Sequence, residues 1–142
     1  MGFYAEAWLR EARDRISGHS KQFAGTVRSR DIEFEKISEA VEKAIKAALV
    51  ERYGSIPQKH EHDKLVSLCE TTGVWDVLPP SFRRLVQEVE SYHTANSTGI
   101  VKPVGSSPEQ LQNYYFIAGR LIDYMEDHVI GNDSVLRRLQ VA

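Results

Sequence analysis

The stretch DIEFEKISEAVEKAIKAALVERY, from Asp31 to Tyr53, decides the fold class. Phe34, Ile37, Val41, Ala44 and Ala48 recur at three- and four-residue steps, with Leu49 beside the last of them. That period puts them on one side of an α-helix and leaves the charged residues on the other. Glu39 and Lys43, and Glu42 and Lys46, stand four apart with the acid first, the orientation that supports an isolated helix. Gly54 is a natural stop, and Pro57 follows it.

The same period extends in both directions. Toward the N-terminus, Ala5, Trp8, Leu9, Ala12 and Ile16 form an apolar stripe, predicting a helix from about residue 3 into the low twenties. Toward the C-terminus, a short third helix is expected to open at His62-Asp63, with Leu65 and Leu68 inward and Gly73 as its end. Val74, Trp75, Val77 and Leu78 read as an apolar connection packed on the core. Pro79-Pro80-Ser81 announces a fourth helix capped by Ser81, with Phe82, Leu85, Val89 and Tyr92 on one side. The last helix has Ser107 as cap, Pro108 in its first turn and Gln110 completing a capping box. Leu111, Tyr114, Ala118, Leu121, Met125 and Val129 then repeat up to a stop at Gly131. No segment alternates with period two. The expected architecture is an all-α, up-and-down bundle of about five helices, residues 1–131, followed by a tail at 132–142.

The bulk properties fit a single globular domain: 142 residues, 42% hydrophobic and 27% charged. The longest apolar runs fall well short of a membrane span, so no membrane partner is expected. Residues 1–10 lack the charged start, apolar run and cleavage site of a secretory signal. The single cysteine, Cys69, has no disulfide partner within the chain. A reducing, cytoplasmic setting is therefore expected, and the sequons at Asn96 and Asn132 carry no weight there. A net charge of −2 argues against coating nucleic acid through bulk electrostatics. The local basic excess of Arg10, Arg13, Arg15, Lys21, Arg28 and Arg30 reads as a solvated helix face.

Three stretches carry a resemblance. Ala40-Val-Glu-Lys-Ala-Ile-Lys-Ala-Ala-Leu49 is similar to the second-helix signature of HEPN domains. Its continuation, from Tyr53 through His62-Asp63-Lys64-Leu65, resembles the family's His-Asp-Leu element with one extra residue before the leucine. Ala5-Glu-Ala-Trp-Leu-Arg-Glu-Ala12 looks like the first helix of such domains. The likeness spans nearly all of residues 3–130. It implies a bundle that pairs into homodimers through its longer helices. It also implies one of three roles: metal-independent ribonuclease, often a toxin; non-catalytic partner of a small nucleotidyltransferase; or nucleotide- or nucleic-acid-binding module.

Catalytic members carry an Arg-x4-6-His element. Its histidine moves the ribose 2′-hydroxyl proton, and its arginine stabilises charge building on the phosphate. Arg13 and His19 fit the spacing formally but lie in the first helix, away from the region where the family carries the motif. Arg84 with His93, and Arg120 with His128, lie in the right region and miss the spacing. The Arg-Tyr-Pro element of a related branch is absent from Asn96 to Pro103. Catalysis is thus expected to be lost, with Arg84, His93, Arg120 and His128 the residues to watch.

Other constellations have plain explanations. His60-Glu61-His62-Asp63 is dense in metal ligands but lacks an assignable third and fourth donor, so it is read as structural and no metal or cofactor is expected. Tyr114, Tyr115 and Phe116 suggest base stacking, but at helical spacing at least two are expected to pack in the core or between subunits. His93, beside a helix end, and Lys102, in the following loop, are the ligand-binding candidates. The expectation is a non-catalytic, dimeric HEPN-type binding subunit for a nucleotide, RNA or a nucleotidyltransferase partner. The alternatives are a divergent HEPN ribonuclease and a purely structural dimerisation module.

Overall fold

The structure, a computed structural model, describes residues 3–17, 27–53, 64–97 and 108–130. Six α-helices occur among them: α1 (Phe3–Ile16), α2 (Val27–Tyr53), α3 (Leu65–Thr72), α4 (Val74–Val77), α5 (Pro80–Ser97) and α6 (Pro108–Tyr124). A π-helical segment, Met125–Ile130, continues α6. No strand occurs among the described residues. The fold is the expected all-α bundle, and four long helices make its frame.

Side-chain contacts fix the directions of those helices. Arg15 meets Glu39 at 3.0 Å and Lys43 meets Glu11 at 3.0 Å, so α1 runs antiparallel to α2. The Phe82 ring lies 5.4 Å from that of Tyr124. At the opposite end, Phe34 packs edge-on against Tyr92 at 4.9 Å and Tyr114 at 5.4 Å. α5 and α6 are therefore antiparallel, and α6 runs parallel to α2. The path is up and down, with α3 and α4 in the crossing between α2 and α5.

α2 is the central element and packs against every other helix. Phe34, Ile37, Ala40, Val41, Ala44, Ile45, Ala47, Ala48 and Leu49 are all buried. At 100° per residue they cover an arc of roughly 200°. Ala40, Ala44 and Ala47 share the flank that faces α1, where Ala5, Leu9 and Ala12 are also buried. Small side chains on both helices let the backbones approach closely. The Lys43 and Lys46 ammonium groups lie 5.1 Å and 5.4 Å from the Trp8 ring, closing the edge of that contact. The buried Ser38 hydroxyl donates to the Phe34 carbonyl at 3.0 Å, so this polar group inside the core is satisfied.

Several local expectations need correction. Lys46 pairs with Glu42 at 2.9 Å as read, but Glu39 and Lys43 turn to α1 instead of to each other. Lys64 occupies the N-cap position of α3, without a side-chain hydrogen bond to the helix. The apolar connection after Gly73 contains the helical turn α4. α5 begins at Pro80, and the Pro79 carbonyl accepts from Phe82 and Arg83 at 3.0 Å and 3.1 Å, leaving Ser81 inside the first turn. A proline lacks the N–H that a first-turn residue would leave unsatisfied anyway, so Pro80 suits that place. Tyr115 and Ile122 join the buried stripe of α6, while Tyr114 is half-buried. His19, His60 to Asp63, Lys102, Ser107 and the tail from Gly131 lie outside the described residues.

Two features of the α2–α3 corner can be tested. Gly73 has φ +82° and caps α3, and a Cβ there would lie 2.5 Å from the Arg52 guanidinium. That guanidinium donates to the Thr72 carbonyl. Gly73→Ala would combine a strained φ with loss of this bond, lowering stability by roughly 1–3 kcal/mol in urea unfolding. Cys69 is fully buried, and desolvation, reinforced by Glu90 and Glu70, pushes its thiol up from 9.0 to about 12. The folded state thus favours the neutral thiol, and this contribution to stability declines as pH rises from 9.0 to about 12. At pH 8 the native protein should resist iodoacetamide, and the urea-unfolded chain should react at the ordinary thiol rate.

Candidate functional site

The antiparallel pairing of α5 and α6 leaves a groove of about 600 Å³ on the outer side of α6. Pro79, Ser81 and Phe82, at the start of α5, form one wall. The other wall is an outward stripe of α6 that includes Asn113, Phe116, Ile117, Arg120, Asp123 and Tyr124, continued by Asp127 in the π-helical segment. Three- and four-residue steps keep these residues on one face because the opposite face, Leu111, Tyr115, Ala118, Ile122 and Met125, is buried.

Phe116 dominates the groove. The residue is 62% exposed, although a phenylalanine on a core-forming helix would normally be covered. The Arg120 guanidinium lies 5.6 Å from its ring centre, a cation–π arrangement one helical turn along. Among the described residues, Arg120 is the one cationic residue lining the groove. Beyond it the charge changes sign, with Asp123 and Asp127 on the same face.

α1 braces the acidic end. Arg13 donates to Asp123 at 2.8 Å and also to Glu126. Burial works against the Arg13 charge, but the bonds to both carboxylates outweigh it and raise its pKa. The bridge lies at the surface, where its value is chiefly geometric: it ties α1 to the point at which α6 widens into a π-helix. π-turns shift the angular position of the side chains that follow. The Tyr124 hydroxyl donates to the Val77 carbonyl at 2.5 Å, anchoring the groove floor to α4, and burial raises its pKa. At the other end of α6, Tyr115 donates to the Glu33 carboxylate; burial and that bond together raise the pKa of its hydroxyl.

The residues named from the sequence divide between the two ends. Arg120 lines the groove, and the His128 backbone lies in the π-helical segment immediately after Asp127. Arg84 is exposed on α5 and is not among the groove-lining residues. The His93 backbone follows Tyr92 in α5, at the Tyr114 end of the bundle, away from Arg120. The side chains of His93 and His128, and all of Lys102, lie outside the described residues. Among the described residues, no group of three His, Cys, Asp or Glu is arranged to hold a metal ion.

At least two of Tyr114, Tyr115 and Phe116 are expected to pack; Tyr115 is buried and Tyr114 packs half-buried on the core, which leaves Phe116 as the exposed one. The missed signal was a large aromatic residue within an otherwise polar stripe, Asn113-x2-Phe116-x3-Arg120-x2-Asp123-x3-Asp127. No helix among the described residues is long and apolar enough to cross a membrane. No curated protein and no solved structure matches the chain significantly. A family model described as HEPN domain matches residues 5–128. With that match over most of its length and an all-helical fold, the chain belongs to the HEPN domain family.

Proposed function

We propose that this HEPN-family chain is a non-catalytic binding subunit that works as a homodimer and serves a nucleotide, RNA or a nucleotidyltransferase partner. Family membership supports a nucleotide- or RNA-related role in general terms. The observation that carries the ligand class is the exposed Phe116 ring with Arg120 stacked beside it in an open groove. An aromatic face accepts any nucleobase by stacking, and a guanidinium matches phosphate oxygens. Phe82, Ile117 and Tyr124 give the groove the apolar lining that a base requires, and Asn113 and Ser81 add polar contacts. His93 and Lys102 remain proposed ligand contacts, with the His93 backbone near the Tyr114 end of α6 and Lys102 outside the described residues.

The non-catalytic part of the proposal follows from motif geometry. Acid–base cleavage of RNA needs an imidazole within hydrogen-bond reach of the ribose hydroxyl while a cation meets the phosphate. Arg84 and Arg120 are each followed by a histidine at a spacing other than the family's.

Calorimetric titration with AMP and GMP at low salt should give saturable binding, and Phe116→Ala should weaken it by about tenfold or more. Binding that is absent, or indifferent to Phe116→Ala, would remove the groove from consideration. RNA incubated with the protein and a chelator should stay intact; cleavage abolished by Arg120→Ala would favour the ribonuclease alternative. Sedimentation should show a dimer, and a monomer at high concentration would overturn the homodimer.

A further inference from the structure

We infer that the groove along α6 discriminates by charge, admitting a single nucleotide and rejecting a continuing phosphate chain. This deepens the proposed nucleotide site and rests on a base being seated at Phe116. Its basis is the order of residues along one face of the helix. Glu109, Asn113, Phe116, Arg120, Asp123 and Asp127 follow one another at three- and four-residue steps. At ~1.5 Å of rise per residue, Arg120 lies about 6 Å along the axis from Phe116, and Asp123 about 10 Å. Asp127 lies about 16 Å away in the same direction, and Glu109 about 10 Å away in the other.

A base stacked on Phe116 puts its own phosphate within reach of Arg120. Further phosphates that stay in the groove, instead of leaving through its open side, run along α6, because Pro79, Ser81 and Phe82 wall its other side. In one direction they meet Asp123 and then Asp127; in the other they meet Glu109. Asp123 is shared with Arg13, and Glu126 is bound to the same guanidinium, so that single cation faces two carboxylates. Asp127 and Glu109 are exposed and have no ion pair with another described residue. A polyanion gains affinity by releasing counterions from many phosphates to many cations. Here, among the described residues, one cation stands between acids, an arrangement that holds one phosphate and repels the next.

The sizes are sufficient to measure. A like-charge contact at ~4 Å weakens binding about fivefold in bulk water and by more at a partly dry surface. Two such encounters correspond to a discrimination of roughly tenfold or more at low salt, shrinking as salt screens the exposed carboxylates.

The test compares AMP with a mixed-sequence RNA octamer, both titrated at low salt into the full chain and two variants, Asp127→Asn and Asp123→Asn/Asp127→Asn. Asp127→Asn leaves the Arg13 bridge intact and so isolates charge from any change in the α1–α6 contact. The wild-type protein should bind AMP at least about tenfold more tightly than the octamer. The double variant should strengthen octamer binding by about tenfold more than it strengthens AMP binding, with Asp127→Asn in between. Equal affinities for the two ligands, or an affinity ratio unmoved by both variants, would overturn the charge discrimination while leaving the nucleotide site standing. AMP binding that is absent, or insensitive to Phe116→Ala, would overturn the site itself and this inference with it.

Discussion

The burial of α2 is the constraint on which the rest of the structure depends. An apolar arc of roughly 200° cannot be covered by one neighbour, so α2 must sit inside the bundle and collect helices around it. Its two flanks are specialised. The alanine row Ala40, Ala44 and Ala47 admits α1 at close range, whereas Phe34, packed edge-on between Tyr92 and Tyr114, holds α5 and α6 farther out with large rings. The polar remainder of α2 is narrow, and most of its charges are committed. Glu39 and Lys43 pair with α1, and Lys43 and Lys46 flank the Trp8 ring.

The groove is a consequence of that arrangement. α6 lies alongside α2 and buries Leu111, Tyr115, Ala118, Ile122 and Met125, which turns Phe116 and Arg120 outward on the opposite face. α5 covers only part of that outer face, because it leans on the Tyr124 end through Phe82 and on the Tyr114 end through Tyr92 and Phe34. The space left at the start of α5 is the groove. Arg13 extends the control to α1, holding Asp123 and Glu126 where α6 changes to π geometry. All four long helices therefore bear on one exposed phenyl ring and the charges around it.

How much was legible in the sequence differs between fold and site. Helix identity could be read because the apolar period of α1, α2, α5 and α6 is long and regular, and periodicity is a local property. Caps were less legible. Ser81 has the right chemistry for an N-cap, but two preceding prolines move the start so that the Pro79 carbonyl takes the role. The Glu39–Lys43 pair has favourable spacing on an isolated helix, yet α1 supplies each of them with a different partner. Surface charges go to whichever partner packing brings near, and spacing within one helix cannot list the candidates from another.

The sequence by itself determined an all-helical bundle, the inward face of each long helix, a lone cysteine and the failure of the Arg–His spacing at Arg84 and Arg120. Each of these is a local pattern or a count. Only the tertiary structure decided that Tyr115 turns inward while its neighbour Phe116 turns outward, and that Arg120 has a phenyl ring beneath it. It alone also brought Arg13, from the first helix, to Asp123 and Glu126 at the far end of the chain. Adjacent residues on a helix point 100° apart, so the rotation of α6 about its axis decides which aromatic is covered. That rotation is set by packing against α2 and α5, whose residues lie far away in sequence.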